Sequence, residues 1–221
     1  MAKANRPSRK SSTYFEQVPL QDVLKRRRSS ATQATGGAHF HGVRFYDDAH
    51  TLGRIVGSFI GEGLERRDIA LIIATPEHAA LIESCLRARG IDVDQRKRDG
   101  LLVMFDARET LQLFMRNGMP DPGAFRRALS AAFVEARRRR GPCAIRAYGE
   151  MIDLLWKDGL ESAAIHLETL WNQLARVHDF ELLCAYSIGN FYKGAAVENI
   201  QRQHTHLVAE DGTTSALTGA A

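Results

Sequence analysis

The chain has 221 residues, a hydrophobic content of 44% and a formal net charge of +4. This length and composition suit one domain with flexible ends and enough apolar material for a single core. No apolar run approaches the roughly 18 residues of a membrane-spanning helix, and the N-terminal residues lack the apolar segment of a secretory signal. We therefore predict a cytoplasmic protein without a membrane span.

The positive charge is concentrated near the N-terminus. Eight lysines and arginines but only two acidic residues lie within residues 1–36, so the rest of the chain is slightly acidic. This segment mixes Ser, Thr and Gln with its charges and ends in glycines, which is typical of a flexible leader. We predict a basic leader over residues 1–37, in which residues 14–28 could form a short helix on docking to a partner.

From residue 39 onward, short apolar runs alternate with longer segments of helical periodicity. Strands are predicted at 42–46, 70–75, 101–105, 143–148 and 181–186. Helices are predicted at 51–65, 77–89, 107–117, 123–139, 149–157, 159–177 and 188–203. Such alternation builds βαβ units, so we predict an α/β domain over residues 38–208, with a mostly parallel central sheet and helices on both faces. Residues 209–221 are predicted to be a disordered end.

The connector after the first predicted strand lacks a phosphate-binding loop. In nucleotide-binding domains of this layout, the connector is a glycine-rich loop with a lysine, and together they cradle the phosphates. Here it reads Asp47-Asp48-Ala49-His50-Thr51, with two carboxylates and neither glycine nor lysine. Because the carboxylates would repel a triphosphate, the sequence argues against an ATPase.

Polar and aromatic residues follow the predicted strands, at the edge where open α/β sheets bind ligands. Four of the five strand ends include a carboxylate, and tyrosines, a histidine and an arginine lie among them. This mixture suits a small organic molecule better than a polyphosphate. The candidate ligand-binding residues are Phe45, Tyr46, Asp47, Asp48, Thr75, Glu77, His78, Asp106, Arg146, Tyr148, Glu150 and Tyr186.

Arg146 lies in the apolar run CAIRAY, where an unpaired buried charge would be very costly. The carboxylates of Glu150, Asp106 and Glu77 are its predicted partners. A structural ion pair is the simpler interpretation, and a clamp on a ligand anion is the alternative.

Histidines and cysteines are the candidate metal ligands. The paired histidines are His39, His41, His204 and His206, and the cysteines are Cys85, Cys143 and Cys184. The two histidine pairs are separated by almost the whole predicted domain, and no Cys or Glu shares their spacing. The cysteines also lack metal-ligand spacing and are interpreted as buried reduced thiols. We therefore expect no metal ion and no cofactor, and a structural hydrogen bond from His41.

Several long motifs carry a resemblance to a known family. They are HGVRFYDD, FIGEGLERRD, IIATPEH, FDARETLQLFMRNGMPD, IRAYGEMIDLLW and LETLWNQLARVHDFELLCAYS. These motifs resemble MEDS, the DcmR-like sensory domain of methanogen and methylotroph regulators, over residues 39–206. The resemblance implies a three-layer fold related to the RecA and KaiC ATPases, with a degenerate phosphate loop.

The resemblance also implies a function. Members of this family are proposed to sense small molecules and often accompany a DNA-binding domain or a histidine kinase. Neither a helix-turn-helix nor a kinase motif is evident in this sequence, so we predict a sensor that signals through a protein partner, through self-association or through its leader. The expected partners are a histidine kinase or a transcriptional regulator, and the small-molecule ligand stays unidentified.

Catalysis is the main alternative to sensing. KaiC-like ATPases place a catalytic glutamate after the second strand, and Glu77 matches that position. Without a phosphate cradle we interpret the segment from Thr75 to Glu77 as a helix N-cap and predict a non-enzymatic protein. The alternatives are a divergent nucleotide-binding protein or ATPase of the KaiC-like class, and a nucleic-acid-binding regulator that acts through the basic residues 1–28.

Overall fold

A computed structural model describes residues 40–140, 143–191, 200–209 and 212–217. The predicted leader, including its short helix, lies outside the described residues. The strands are β1 (His41–Tyr46), β2 (Ile69–Ala74), β3 (Leu102–Asp106), β4 (Met115–Arg116), β5 (Met119–Pro120), β6 (Ile145–Gly149), β7 (Glu181–Ser187), β8 (His206–Val208) and β9 (Thr214–Ala216). The helices are α1 (Ala49–Glu65), α2 (Pro76–Ala88), α3 (Val93–Arg98), α4 (Ala107–Phe114), α5 (Pro122–Arg140), α6 (Met151–Lys157) and α7 (Glu161–Ala175).

The central sheet has seven strands in the order β3-β2-β6-β7-β1-β8-β9. All neighbouring strands are parallel except β8 and β9, which are antiparallel. The five predicted strands are confirmed to within two residues at each end. The short strands β8 and β9 extend the sheet beyond the prediction, and β9 lies within the residues predicted to form a disordered end. It forms there because β8 offers it a free edge.

Helices cover both faces of the sheet, so the fold has three layers. On β2, the run IALIIA is buried throughout, and its alternate side chains enter two separate cores. Ala70, Ile72 and Ala74 pack with α1, α2 and α3, whereas the residues between them pack with the helices from α4 to α7. The predicted α/β fold with a mostly parallel sheet is therefore confirmed. No helix in the described ranges is long and apolar enough to cross a membrane.

A row of glycines brings α1 and α2 into close contact. Gly53, Gly57 and Gly61 are spaced by four residues and lie on one face of α1. A Cβ atom on Gly57 would lie 2.8 Å from Cβ of Cys85 on α2, well inside van der Waals contact. The two backbones can approach this closely only because these positions lack side chains.

Arg146 lies at the amino end of β6, away from the strand-end carboxylates that the sequence suggested as its partners. Its Nη1 lies 3.1 Å from Oε2 of Glu62 and its Nε lies 2.7 Å from Oε2 of Glu181. Nη1 also donates to the carbonyl of Phe59 at 2.7 Å. The prediction of a structural ion pair is thus correct, but the predicted partners are wrong. Because β6 begins only at Ile145, Arg146 lies at its amino end and not at the carboxyl edge of the sheet.

We expect Gly57→Ala to destabilise the fold. The new methyl group would be forced against Cβ of Cys85, and overpacking of this kind costs about 1–3 kcal/mol. Replacing a glycine by alanine in a helix interior by itself raises the free energy of unfolding by up to about 1 kcal/mol. The net effect of both terms should therefore be a loss of about 1 kcal/mol in the free energy of unfolding. Urea denaturation of both proteins measures the difference.

Gly123→Ala is the matched control for this substitution. Gly123 lies in the first turn of α5, and the nearest atom to its added Cβ is the flexible end of Arg127 at 3.3 Å. We expect no loss of stability for this variant. Equal destabilisation by both substitutions would contradict the role of the glycine row.

Candidate functional site

Polar side chains from three parts of the chain meet at the carboxyl edge of the sheet. We call this group the strand-end cluster. It contains Tyr46, His78, Tyr148, Glu150, Asp153 and Lys157. Tyr46 ends β1, His78 lies in the first turn of α2, and the other four belong to β6, α6 and the residue between them. Parallel strands place these positions at one edge of the sheet.

Glu150 holds one half of the cluster together. Its carboxylate is buried, and Oε1 accepts a 2.7 Å hydrogen bond from the backbone amide of Thr75. Oε2 lies 2.8 Å from Nδ1 of His78 and accepts from the hydroxyl of Tyr148 at 3.3 Å. The charge is therefore compensated within the protein, as a buried carboxylate requires.

Asp153 holds the other half of the cluster. Its Oδ1 accepts from the backbone amide of Ser187 at 2.9 Å, which ties α6 to the end of β7. Its Oδ2 accepts from the hydroxyl of Tyr46 at 3.0 Å and lies 2.9 Å from Nζ of Lys157. Because Lys157 is one helical turn away, the ion pair forms within α6.

The two halves meet at Tyr46 and His78, whose rings pack edge to face with centroids 6.2 Å apart. The hydrogen bond that Nδ1 of His78 donates to the carboxylate of Glu150 raises the pKa of His78 above its ordinary value. Burial, followed by the neighbouring carboxylate of Asp153, raises the pKa of the Tyr46 hydroxyl. The cluster thus favours a cationic imidazole and a neutral phenol that donates its proton.

Three predicted ligand-binding residues instead cap helices with their own oxygens. They are Asp48 on α1, Thr75 on α2 and Asp106 on α4. Oδ1 of Asp48 accepts from the amide of Thr51 at 2.9 Å, and Oδ2 accepts from the Thr51 hydroxyl at 2.6 Å. These bonds lower the pKa of Asp48 to about 2. The helix end that would hold a phosphate is therefore occupied by a carboxylate of the chain itself.

The remaining predicted residues do not join the strand-end cluster. Asp47 and Glu77 are exposed beside it. Phe45 and Tyr186 pack together on the opposite face of the sheet, with ring centroids 6.0 Å apart, and Arg146 lies at the other end of β6. The placement of Tyr186 and Arg146 at a common strand-end site is thus wrong.

The sequence reasoning missed Asp153 and Lys157. The sequence did indicate Asp153. An aspartate in the apolar run MIDLLW would be buried, and a buried charge needs a partner, as at Arg146. The lysine four residues later supplied the compensating charge.

A second group of buried polar side chains lies on the α7 side of the sheet. We call it the inner cluster, and it consists of His41, Glu168, Cys184 and His204. One nitrogen, oxygen or sulfur atom from each residue lies within 4.8 Å of the others. The structure thus joins one histidine of each predicted pair, whereas His206 stacks on Phe40 with ring centroids 4.8 Å apart. His39 lies outside the described residues.

The chain matches the family model described as "MEthanogen/methylotroph, DcmR Sensory domain" over residues 40–205. The chain belongs to the MEDS family. MEDS is by this description a sensory domain, so the family supports a sensory role for this chain. The family resemblance that the sequence motifs suggested is confirmed.

The MEDS fold of this chain is similar to that of a solved structure, the uncharacterized protein PH0321 from Pyrococcus horikoshii in complex with an unknown peptide. The TM-score is 0.57, the identity is 10%, and the match covers 92% of each chain. At this identity the similarity supports the fold alone. No curated protein matches the chain.

We expect the His78–Glu150 pair to stabilise the MEDS fold mainly at low pH. A histidine whose pKa is raised in the folded protein stabilises the fold fully at a pH below its pKa in the unfolded chain, about 6.5. This stabilisation disappears as the pH rises through the pKa in the folded protein. The difference in Tm between the wild type and His78→Gln should therefore shrink with rising pH. His50→Gln, at an exposed position on α1, is the control. A difference that grows with pH for His78→Gln would contradict this assignment.

Proposed function

We propose that this MEDS chain is a non-enzymatic sensor whose strand-end cluster binds a small organic molecule. The observation that carries the proposal is the convergence of Tyr46, His78 and Lys157 on two buried carboxylates at the ligand-binding edge of a parallel sheet. Perturbed groups gathered at such an edge are typical of binding sites. The sensory description of the family supports the same function.

Charge restricts the class of ligand. Asp47 and Glu77 are exposed beside the cluster, and Asp48 occupies the amino end of α1. Lys157 is already paired with Asp153. A polyphosphate would meet net repulsion here, whereas a neutral or cationic molecule with hydrogen-bond donors would find acceptors. The ligand should therefore be a small neutral or cationic compound.

The same contacts provide a route for a signal. Oδ1 of Asp153 holds the amide of Ser187, the last residue of β7, and a short 3-10 helix begins at Ile188. A ligand that competes for Asp153 would change how α6 is held against the end of β7. A partner that contacts this region, such as a kinase or a transcriptional regulator, would then respond to the ligand.

Ligand binding is tested by a thermal-shift screen of the full chain against small organic compounds, short peptides and nucleotides. Titration calorimetry follows for each compound that raises Tm. We expect hits among neutral and cationic compounds, with affinity reduced at least about tenfold by Tyr46→Phe or Lys157→Gln, because each variant disrupts the contacts of Asp153.

Lys97→Gln is the matched control for Lys157→Gln. Lys97 also pairs with a buried carboxylate, with 2.5 Å from Nζ to Oε1 of Glu83, but it lies on α3. We expect this variant to bind as the wild type does. Ligands that bind all variants equally would place the binding site elsewhere and overturn the proposal.

The enzyme alternative is tested by magnesium-dependent ATP turnover. Glu77 is exposed in the first turn of α2, where KaiC-like ATPases carry a catalytic glutamate. We expect no turnover above the background rate, since the carboxylate of Asp48 accepts the hydrogen bond from the Thr51 amide at the end of α1 and would repel a phosphate there. Turnover that disappears in Glu77→Gln would replace the sensor proposal with a divergent ATPase.

The nucleic-acid alternative depends on residues 1–28, which lie outside the described residues. Binding through this basic segment would weaken steeply with salt and disappear on its deletion. We expect the chain that begins at residue 37 to keep any small-molecule binding, because the strand-end cluster contains no residue of the leader.

A further inference from the structure

The inner cluster joins residues from four separate parts of the chain. His41 begins β1, Cys184 lies in the middle of β7, Glu168 lies on α7, and His204 precedes β8. All four residues are buried to 2% exposure or less. A cluster of titratable groups without solvent contact is costly unless another interaction compensates it.

The four side chains point at a common centre. Nε2 of His41 lies 3.4 Å from Sγ of Cys184 and 3.5 Å from Oε2 of Glu168. Nε2 of His204 lies 3.3 Å from Oε1 of Glu168. Ligand atoms around a tetrahedral zinc ion are separated by about 3.3–3.8 Å, given zinc–ligand distances of about 2.0–2.3 Å. The cluster is therefore near the required size.

The tautomer of His41 is fixed by its other nitrogen. Nδ1 lies 2.9 Å from Oδ1 of Asn172, and Nδ2 of Asn172 donates to the carbonyl of Gln203 at 3.0 Å. The second bond identifies Oδ1 as the acceptor that faces His41, so Nδ1 carries the hydrogen. The lone pair of Nε2 then points into the cluster.

The tautomer of His204 is fixed in the same way. Nδ1 lies 2.7 Å from the carbonyl oxygen of Ile200, which can only accept. Nδ1 therefore carries the hydrogen, and Nε2 again presents a lone pair. Histidines that bind metal ions show this arrangement, in which the outer nitrogen donates to an oxygen and the inner nitrogen is left as a ligand.

The centre is rich in acceptors and poor in donors. The thiol of Cys184 lies within hydrogen-bond distance of Nε2 of His41, and the hydroxyl of Tyr186 donates to Oε1 of Glu168. Oε2 of Glu168 and Nε2 of His204 make no hydrogen bond within the part of the chain that the structure describes. A cation at the centre would bind the two atoms that are left without a hydrogen bond.

We propose that the inner cluster is a metal centre, in which His41 and His204 through Nε2, the carboxylate of Glu168 and the thiolate of Cys184 bind one divalent zinc-type ion. Four protein ligands complete a tetrahedral shell, so the centre would be structural rather than catalytic. The proposal is independent of the small-molecule site, since the two clusters share no residue.

Charge balance supports a divalent ion. Two neutral imidazoles, one carboxylate and one thiolate carry two negative charges, which a divalent cation cancels. The mixed nitrogen, sulfur and oxygen ligands suit zinc and exclude the oxygen-preferring magnesium and calcium ions.

Metal content of the full chain is the first test. The chain is expressed without a histidine tag, stripped with a chelator and titrated with Co²⁺, whose bond to a thiolate gives a charge-transfer absorption band. We expect saturation at one ion per chain, displacement by Zn²⁺ and a higher Tm for the zinc-loaded protein. Failure to bind one ion per chain would overturn the proposal.

Cysteine variants identify the sulfur ligand. Cys184→Ser should abolish the charge-transfer band, whereas Cys85→Ser, which alters a half-buried cysteine in the other core, should leave it unchanged. Asn172→Ala removes the acceptor that orients His41 and should weaken binding about 10–100-fold. A band that persists in Cys184→Ser would overturn the assignment.

If the variants fail to fold, X-ray absorption of the zinc-loaded wild type identifies the ligand atoms around the ion. We expect one sulfur at about 2.3 Å and three nitrogen or oxygen neighbours at about 2.0–2.2 Å. A shell of nitrogen and oxygen alone would indicate an ion held adventitiously by surface histidines and would overturn the proposal.

Discussion

Burial of the central sheet on both faces is the constraint on which the rest of the structure depends. Strands such as β2 have no exposed face, so a charged side chain in the sheet must either reach a strand end or meet compensating groups. Glu150 at the carboxyl edge and Arg146 near the amino end of β6 combine both solutions. The inner cluster is a third case, in which acceptors gather inside one layer of the core.

The same constraint explains what the sequence could predict. Apolar runs long enough to be buried marked the five main strands, and the strand-end positions of Tyr46, His78 and Glu150 followed from them. A strand buried on both faces shows no polar alternation, so the sequence could not tell which face Tyr186 occupies. The charged helix α3 and the three-residue strands β8 and β9 lack the apolar periodicity that identifies such elements.

The inner cluster was beyond sequence reasoning for a different reason. Its ligands lie on separate elements, and only the pairing of β1 with β7 and β8 brings His41 beside Cys184 and His204. Spacing rules detect metal sites whose ligands share a turn or a hairpin, and they miss sites assembled by tertiary packing. The available signals were a glutamate and a cysteine inside apolar runs, at Glu168 and Cys184.

The glycine row on α1 also has a mechanical consequence. Because Gly57 lets α1 pack closely against Cys85 of α2, we expect the two helices to move together. Both helices start at the strand-end cluster, and α1 extends roughly 25 Å from it. If a ligand displaced His78 and tilted this pair of helices, the displacement of each residue would increase with its distance from the strand-end cluster. The largest movement would occur at the far end of α1, where Glu65 pairs with Arg89 on the surface.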